Sequence, residues 1–169
     1  AGMRMYPAAY LAEARALCDR YGVLLIADEI MTGFGRTGTW FGLQHYGVEP
    51  DIMQFAKGIT SGYLPLGATM ISEEIADDLI RSGYLAHGFT YSGHPTCAAA
   101  ALANLDLIER DNLIARMHDD IGPYFQSKLR SFAGHPAVAE IRGHGLIGAV
   151  PSPEPGASLL AMLAFLDPP

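Results

Sequence analysis

The chain has 169 residues, enough for one domain with a real core, and half of them are hydrophobic against 17% charged, which excludes a disordered chain. Eleven basic and eighteen acidic residues give a net charge of −7 with no basic cluster, so neither nucleic acid nor an anionic membrane is the expected partner. Cys18 and Cys97 lie far apart without CxxC spacing, which points away from a disulfide framework or zinc site and toward a reducing cytoplasm. The apolar run at 159–166 is too short to span a bilayer, and the opening residues show no charged n-region followed by an apolar h-region. Both ends, AGMRMYP and the tail after Val150, read like cuts through a longer chain, so a fragment is expected.

In chain order, Pro7 opens a helix with apolar residues at Tyr10, Leu11, Ala14 and Leu17, and Gly22 stops it. VLLIAD (23–28) follows as a strand apolar on both faces, as in a parallel sheet covered by helices. The glycines at 33, 35 and 38 make the next segment a loop. DIMQFA (51–56) is a second strand ending at Lys57, and ATMIS (68–72) a third. EEIADDLIRSG reads as a short amphipathic helix capped by Ser72 with acids in its first turn. HGFTYSGHP is a loop, from which Pro95 starts an alanine-rich helix. A helix over 113–132 contains Gly122 and Pro123 and is expected to bend or break there. VAEIRGHGLIGAV suggests two short strands around a glycine turn. The fold class is therefore α/β.

Ligands of open α/β sheets sit outside the carboxyl ends of the strands. Asp28 and Lys57 each follow an expected strand, so they converge on one crevice, with the loop at 90–95 as a source of a third group. A buried ion pair is the plain alternative. The residues also suit pyridoxal phosphate, which needs a lysine for the Schiff base, a carboxylate on the pyridine nitrogen and donors for the phosphate. A strand ending in a carboxylate is explained if a pyridinium lies against it, because an ionised acid is costly to bury unpaired. A nucleotide triphosphatase strand end is the other reading of hhhhDE, but no GxxxxGK[ST] occurs in the 169 residues.

LLIADEIMTGFGRTG, PDIMQFAKGITSGYLPLGA and HGFTYSGHP before an alanine-rich helix together resemble the class III aminotransferases, a pyridoxal-phosphate family of fold type I. The match runs from about Gly2 to Val150, and TYSGHP and DDIGPYF look most like the subgroup that moves amino groups from amines or polyamines to pyruvate (omega-aminotransferases). The resemblance implies the central part of the large domain over 1–134, with a mostly parallel sheet flanked by helices, and the start of the small domain over 135–169, truncated or divergent after 150. It implies that Lys57 forms the Schiff base and shuttles the proton, that Asp28 pairs with the pyridine nitrogen, and that Ile30 packs on the ring. Thr90 would bind the phosphate of the partner subunit in a homodimer. No metal is implied.

The implied activity is ping-pong transamination from an amine or omega-amino acid to a keto acid such as pyruvate. Aminomutase or racemase chemistry on the same fold, and a non-catalytic degenerate fragment, are the alternatives. The family's upstream phosphate loop and ring-stacking aromatic, and its downstream substrate arginine, have no counterpart here, so the 169 residues alone are expected to be inactive. Glu29 reads as a carboxylate at the crevice rim, Arg36 as an anion grip or a loop-ordering residue, and Tyr63 and Tyr91 as candidates to line the crevice. His87, His94, His135 and His144 show no metal-ligand spacing.

Overall fold

The structure, a computed structural model, describes residues 5–83 and 85–153. The tail expected to diverge after Val150 lies outside the described residues from 154 onward, as does the apolar run at 159–166.

Helix α1 (Ala9–Tyr21) ends where Gly22 takes the left-handed conformation, φ 62°, and donates its N–H to the Cys18 carbonyl. The chain then enters β1 (Ile26–Asp28), shorter than the 23–28 run suggested. β2 (Ile52–Phe55) pairs with it in parallel, Asp28 opposite Gln54, and β3 (Ala68–Ile71) pairs antiparallel on the other side of β2. The sheet order is β1-β2-β3, so the described sheet is mixed. Asp51 ties α1 to this sheet: its Oδ2 accepts from Leu25 N–H at 2.6 Å and from Arg15 Nη1 at 2.7 Å.

α2 (Glu73–Ser82) has the expected cap, with Ser72 Oγ accepting from Ile75 N–H and Glu73 and Glu74 in the first turn. α3 (Pro95–Arg110) begins at its proline. The expected break at Gly122 takes the form of a change of pitch: α4 (Leu113–Arg116) runs through a π turn (Met117–Ile121) into α5 (Gly122–Arg130). Pro123 supplies no N–H and its ring clashes with a carbonyl one turn back, and a widened turn absorbs both defects without stopping the helix. β4 (Arg142–His144) and β5 (Ile147–Ala149) form a hairpin, His144 opposite Ile147, turning through Gly145 at φ 57°.

The core lies below the carboxyl end of β2, where Phe55, Ile59 and Ala101 are buried against Phe34, Phe41, Met53 and Leu66. Phe34 meets Phe41 and Phe55 edge-on at 5.6 and 5.5 Å between ring centroids. Three features run against the sequence reading. The residues of β1 are exposed or half-exposed, with Ile26 57% exposed, so among the described residues nothing covers both faces of that strand. α1 buries none of its residues. The alanine-rich α3 buries Cys97, Ala101 and Ile108 while Leu102 and Leu107 face out.

Candidate active site at the strand ends

Because β1 and β2 are parallel and in register, Asp28 and the residues after Phe55 emerge at the same sheet edge. Lys57 opens a short 3-10 turn (Lys57–Thr60) directly beyond β2 and holds φ at 45°, a left-handed conformation that a lysine adopts only at a cost. Ser61, at φ 50°, closes the same turn. Several contacts over-determine this geometry. Asn104 of α3 donates through Nδ2 to the Gly58 and Ile59 carbonyls at 2.9 and 3.0 Å, and its Oδ1 accepts from Ser61 Oγ at 2.6 Å. Thr60, 2% exposed, donates through Oγ1 to the Leu64 carbonyl at 2.6 Å. A Cβ on Gly58 would stand 3.0 Å from that of Phe34, so glycine there lets the turn seat on the aromatic core.

The Lys57 side chain is exposed, and its Nζ donates to the Met31 thioether at 2.8 Å. Ile30, Met31, Phe34, Arg36, Lys57 and Arg116 line a cavity of about 830 Å³ that also runs along apolar residues of α4 and the hairpin. Its charged lining is wholly cationic. Ile30 and Lys57 thus line the same cavity. Asp28 stands just outside the cavity lining; its Oδ1 accepts from Ile30 N–H at 2.9 Å, which fixes the carboxylate beside that residue.

Three expectations change, those for Asp28, Glu29 and the two tyrosines. Asp28 is exposed, so the cost of burial does not explain why β1 ends in an acid. Glu29 is the buried one, 3% exposed, and not a rim carboxylate. It accepts from Gly42 and Leu43 N–H at 2.9 and 2.8 Å and from the Thr32 hydroxyl, closing the glycine loop onto the start of a 3-10 turn (Gly42–Tyr46). Thr90 is exposed and does not line the cavity that holds Lys57, which leaves its expected role on a partner subunit untouched. Tyr63 and Tyr91 are exposed and stand outside that lining as well. Arg36 does line the cavity, and its carbonyl also accepts from Leu146 N–H at 2.9 Å, docking the hairpin.

Asn104 and Glu29 carry much of the site's support; the sequence reading passed over the first and placed the second at the rim. A single asparagine inside an alanine- and leucine-rich helix is the available signal for the first. For Glu29 the neighbouring Asp28 masks it, since alternation alone cannot say which of two adjacent acids turns inward.

The arrangement places an amine and a carboxylate at one edge of an α/β sheet. The family model for class III aminotransferases matches residues 1–165, and the chain belongs to that family. It is 44% identical over 149 residues to a putrescine–pyruvate aminotransferase of Pseudomonas aeruginosa and 41% over 156 residues to a beta-alanine–pyruvate aminotransferase of the same species. These alignments take in 88% and 89% of the chain but 33% and 35% of the relatives. A thermostable (S)-enantioselective omega-transaminase from Thermomicrobium roseum superimposes with a TM-score of 0.83 at 48% identity, over 88% of this chain and 33% of that one. The fold is accordingly a stretch of the α/β transaminase fold. The chain spans about a third of the length of the relatives it matches.

Proposed function

We propose that this chain is the cofactor-binding stretch of a pyridoxal-phosphate-dependent transaminase that moves an amino group from an amine or omega-amino acid to a keto acid such as pyruvate. The observation that carries the reading is Lys57: a lysine held at φ 45° by a part-buried hydrogen-bond network, at the carboxyl end of a strand in register with the one that ends in Asp28. Strained backbone persists where surrounding contacts enforce it, and such places cluster at functional sites.

The donor set suits pyridoxal phosphate in part. Lys57 offers an exposed amine whose hydrogen-bond partner is a thioether, and Asp28 offers an exposed carboxylate. The cationic cavity lining favours an anionic cofactor and keto acids. Thr90 is kept as the phosphate ligand of a partner subunit in a homodimer, a role that asks nothing of its own chain's cavity. When bound, the cofactor supplies an electron sink that makes the substrate's α-proton removable. Lys57 would hold the cofactor and would move the proton at the substrate carbon through Nζ; Asp28 would keep the ring nitrogen protonated; Ile30 would pack on the ring and exclude water.

The division into a large-domain portion over 1–134 and a small-domain start over 135–169 belongs to the same proposal, as does a cytoplasmic location. Among the described residues no helix is long and apolar enough to cross a membrane. Transamination is proposed for a polypeptide of the relatives' length, not for the 169 residues by themselves. The test supplies such a polypeptide with an amine donor and pyruvate. Alanine formed in step with the aldehyde or keto product supports the reading, whereas a rearranged or racemised amino acid without alanine replaces it with the mutase or racemase alternative.

A further inference from the structure

On the side of the hairpin away from Lys57, two histidines widely separated in sequence meet. His45 Nε2 and His144 Nε2 are 3.3 Å apart, with ring centroids at 4.7 Å and planes at 89°. Both rings are carried by fixed elements. His45 sits in the 3-10 turn whose first N–H groups are held by Glu29, and His144 ends β4, whose hairpin is held by Gln126 Nε2 on the Gly145 and Ile147 carbonyls at 2.8 and 3.0 Å. They line a recess of about 290 Å³ together with Thr37, His118 and Arg130.

We infer that His45 and His144 form a two-imidazole chelate for a late first-row divalent metal ion, with Zn²⁺ fitting the spacing best. Two imidazole nitrogens bound at the usual distance of about 2.0–2.1 Å with a tetrahedral angle between them stand about 3.3 Å apart. Two oxygens lie beside His45 Nε2, the Thr37 carbonyl at 3.0 Å and Thr39 Oγ1 at 3.2 Å. In the metal-free protein these contacts take the His45 Nε2 proton, and ligation moves that proton to Nδ1. Among the described residues no group of three or more His, Cys, Asp or Glu is placed to hold a metal, so water completes the coordination. The recess lining includes Arg130 and no carboxylate, which disfavours Mg²⁺ and Ca²⁺, held by charge and oxygen, and selects metals that bond to imidazole. The site escaped sequence analysis because its ligands are 99 residues apart and follow no spacing rule.

The probe is Co²⁺ alone, a paramagnetic ion that adopts the tetrahedral geometry of Zn²⁺, added to the 169-residue chain while imidazole proton resonances are recorded. The first equivalent is expected to shift or broaden the His45 and His144 signals together, and Zn²⁺ to reverse the effect by competition. His45→Ala and His144→Ala should each weaken first-site binding at least tenfold, and His87→Ala should leave it unchanged. If the first equivalent acts on His87, His94 or His135, outside the recess, in place of His45 and His144, or if both variants bind as the parent does, the inference fails. The wild-type spectra decide the matter even where a variant does not fold.

Discussion

Glu29 is the residue on which the loop after β1 depends. Its carboxylate accepts two backbone N–H groups and a hydroxyl from inside the fold, and no water replaces it at 3% exposure. Glu29→Ala leaves two N–H groups unsatisfied, and the expected loss is about 3 kcal/mol, read as a lower urea midpoint at unchanged slope. A loss below about 1 kcal/mol would show that the loop is held by other means. Lys57 stands in the opposite situation, kept for chemistry against its own conformational preference. At φ 45° glycine is relaxed and alanine is not, so Lys57→Gly should be more stable than Lys57→Ala by about 1 kcal/mol, although both lose the amine. Equal stabilities would mean that the turn carries no strain. Asp28 and Lys57 are legible in sequence because each directly follows an apolar run. Glu29 and Asn104 are not, since their roles come from backbone groups that only the folded loop and turn present to them.

The elements were legible wherever a local signal marks them. Gly22, the Ser72 cap and Pro95 each set a helix boundary by their own backbone or side-chain chemistry. Strand lengths and the mixed pairing of β1-β2-β3 were not, because pairing depends on partners distant in sequence. The junction of α1 with the sheet is such a long-range feature. Arg15 beside Asp51, followed by the Leu25 N–H, holds the Asp51 carboxyl below its ordinary 3.8. A carboxyl lowered by folding stabilises the protein above that ordinary value, and the contribution is lost as pH falls below 3.8 through the folded value. Asp51→Asn is therefore expected to be less stable at neutral pH and to lose less on acidification below about pH 4, followed by denaturant midpoints across pH 2–6. Parallel pH profiles for parent and variant would remove Asp51 from the account of this junction.

At the scale of the whole molecule, the exposed apolar surface is the dominant feature. Val23, Leu24 and Ile26 around β1 and Met70 and Ile71 of β3 are exposed, although a strand in a parallel pair is ordinarily covered on both faces. The 169 residues by themselves should bind a hydrophobic dye and sediment with increasing mass as concentration rises. A dye-silent monomer at tens of micromolar would mean that these strands are covered after all. Composition foretold a core, but not which faces this stretch leaves open, because that depends on what packs against it. The claim at the centre of the account is that the strained lysine beyond β2 receives pyridoxal phosphate. It is tested most directly by adding the cofactor, reducing with borohydride and locating the pyridoxyl group by peptide mass. The label is expected on Lys57, weakened by Asp28→Asn and absent from Lys57→Ala; a label shared equally with Lys128, the other lysine of the chain, or found on Lys128 alone, would contradict it.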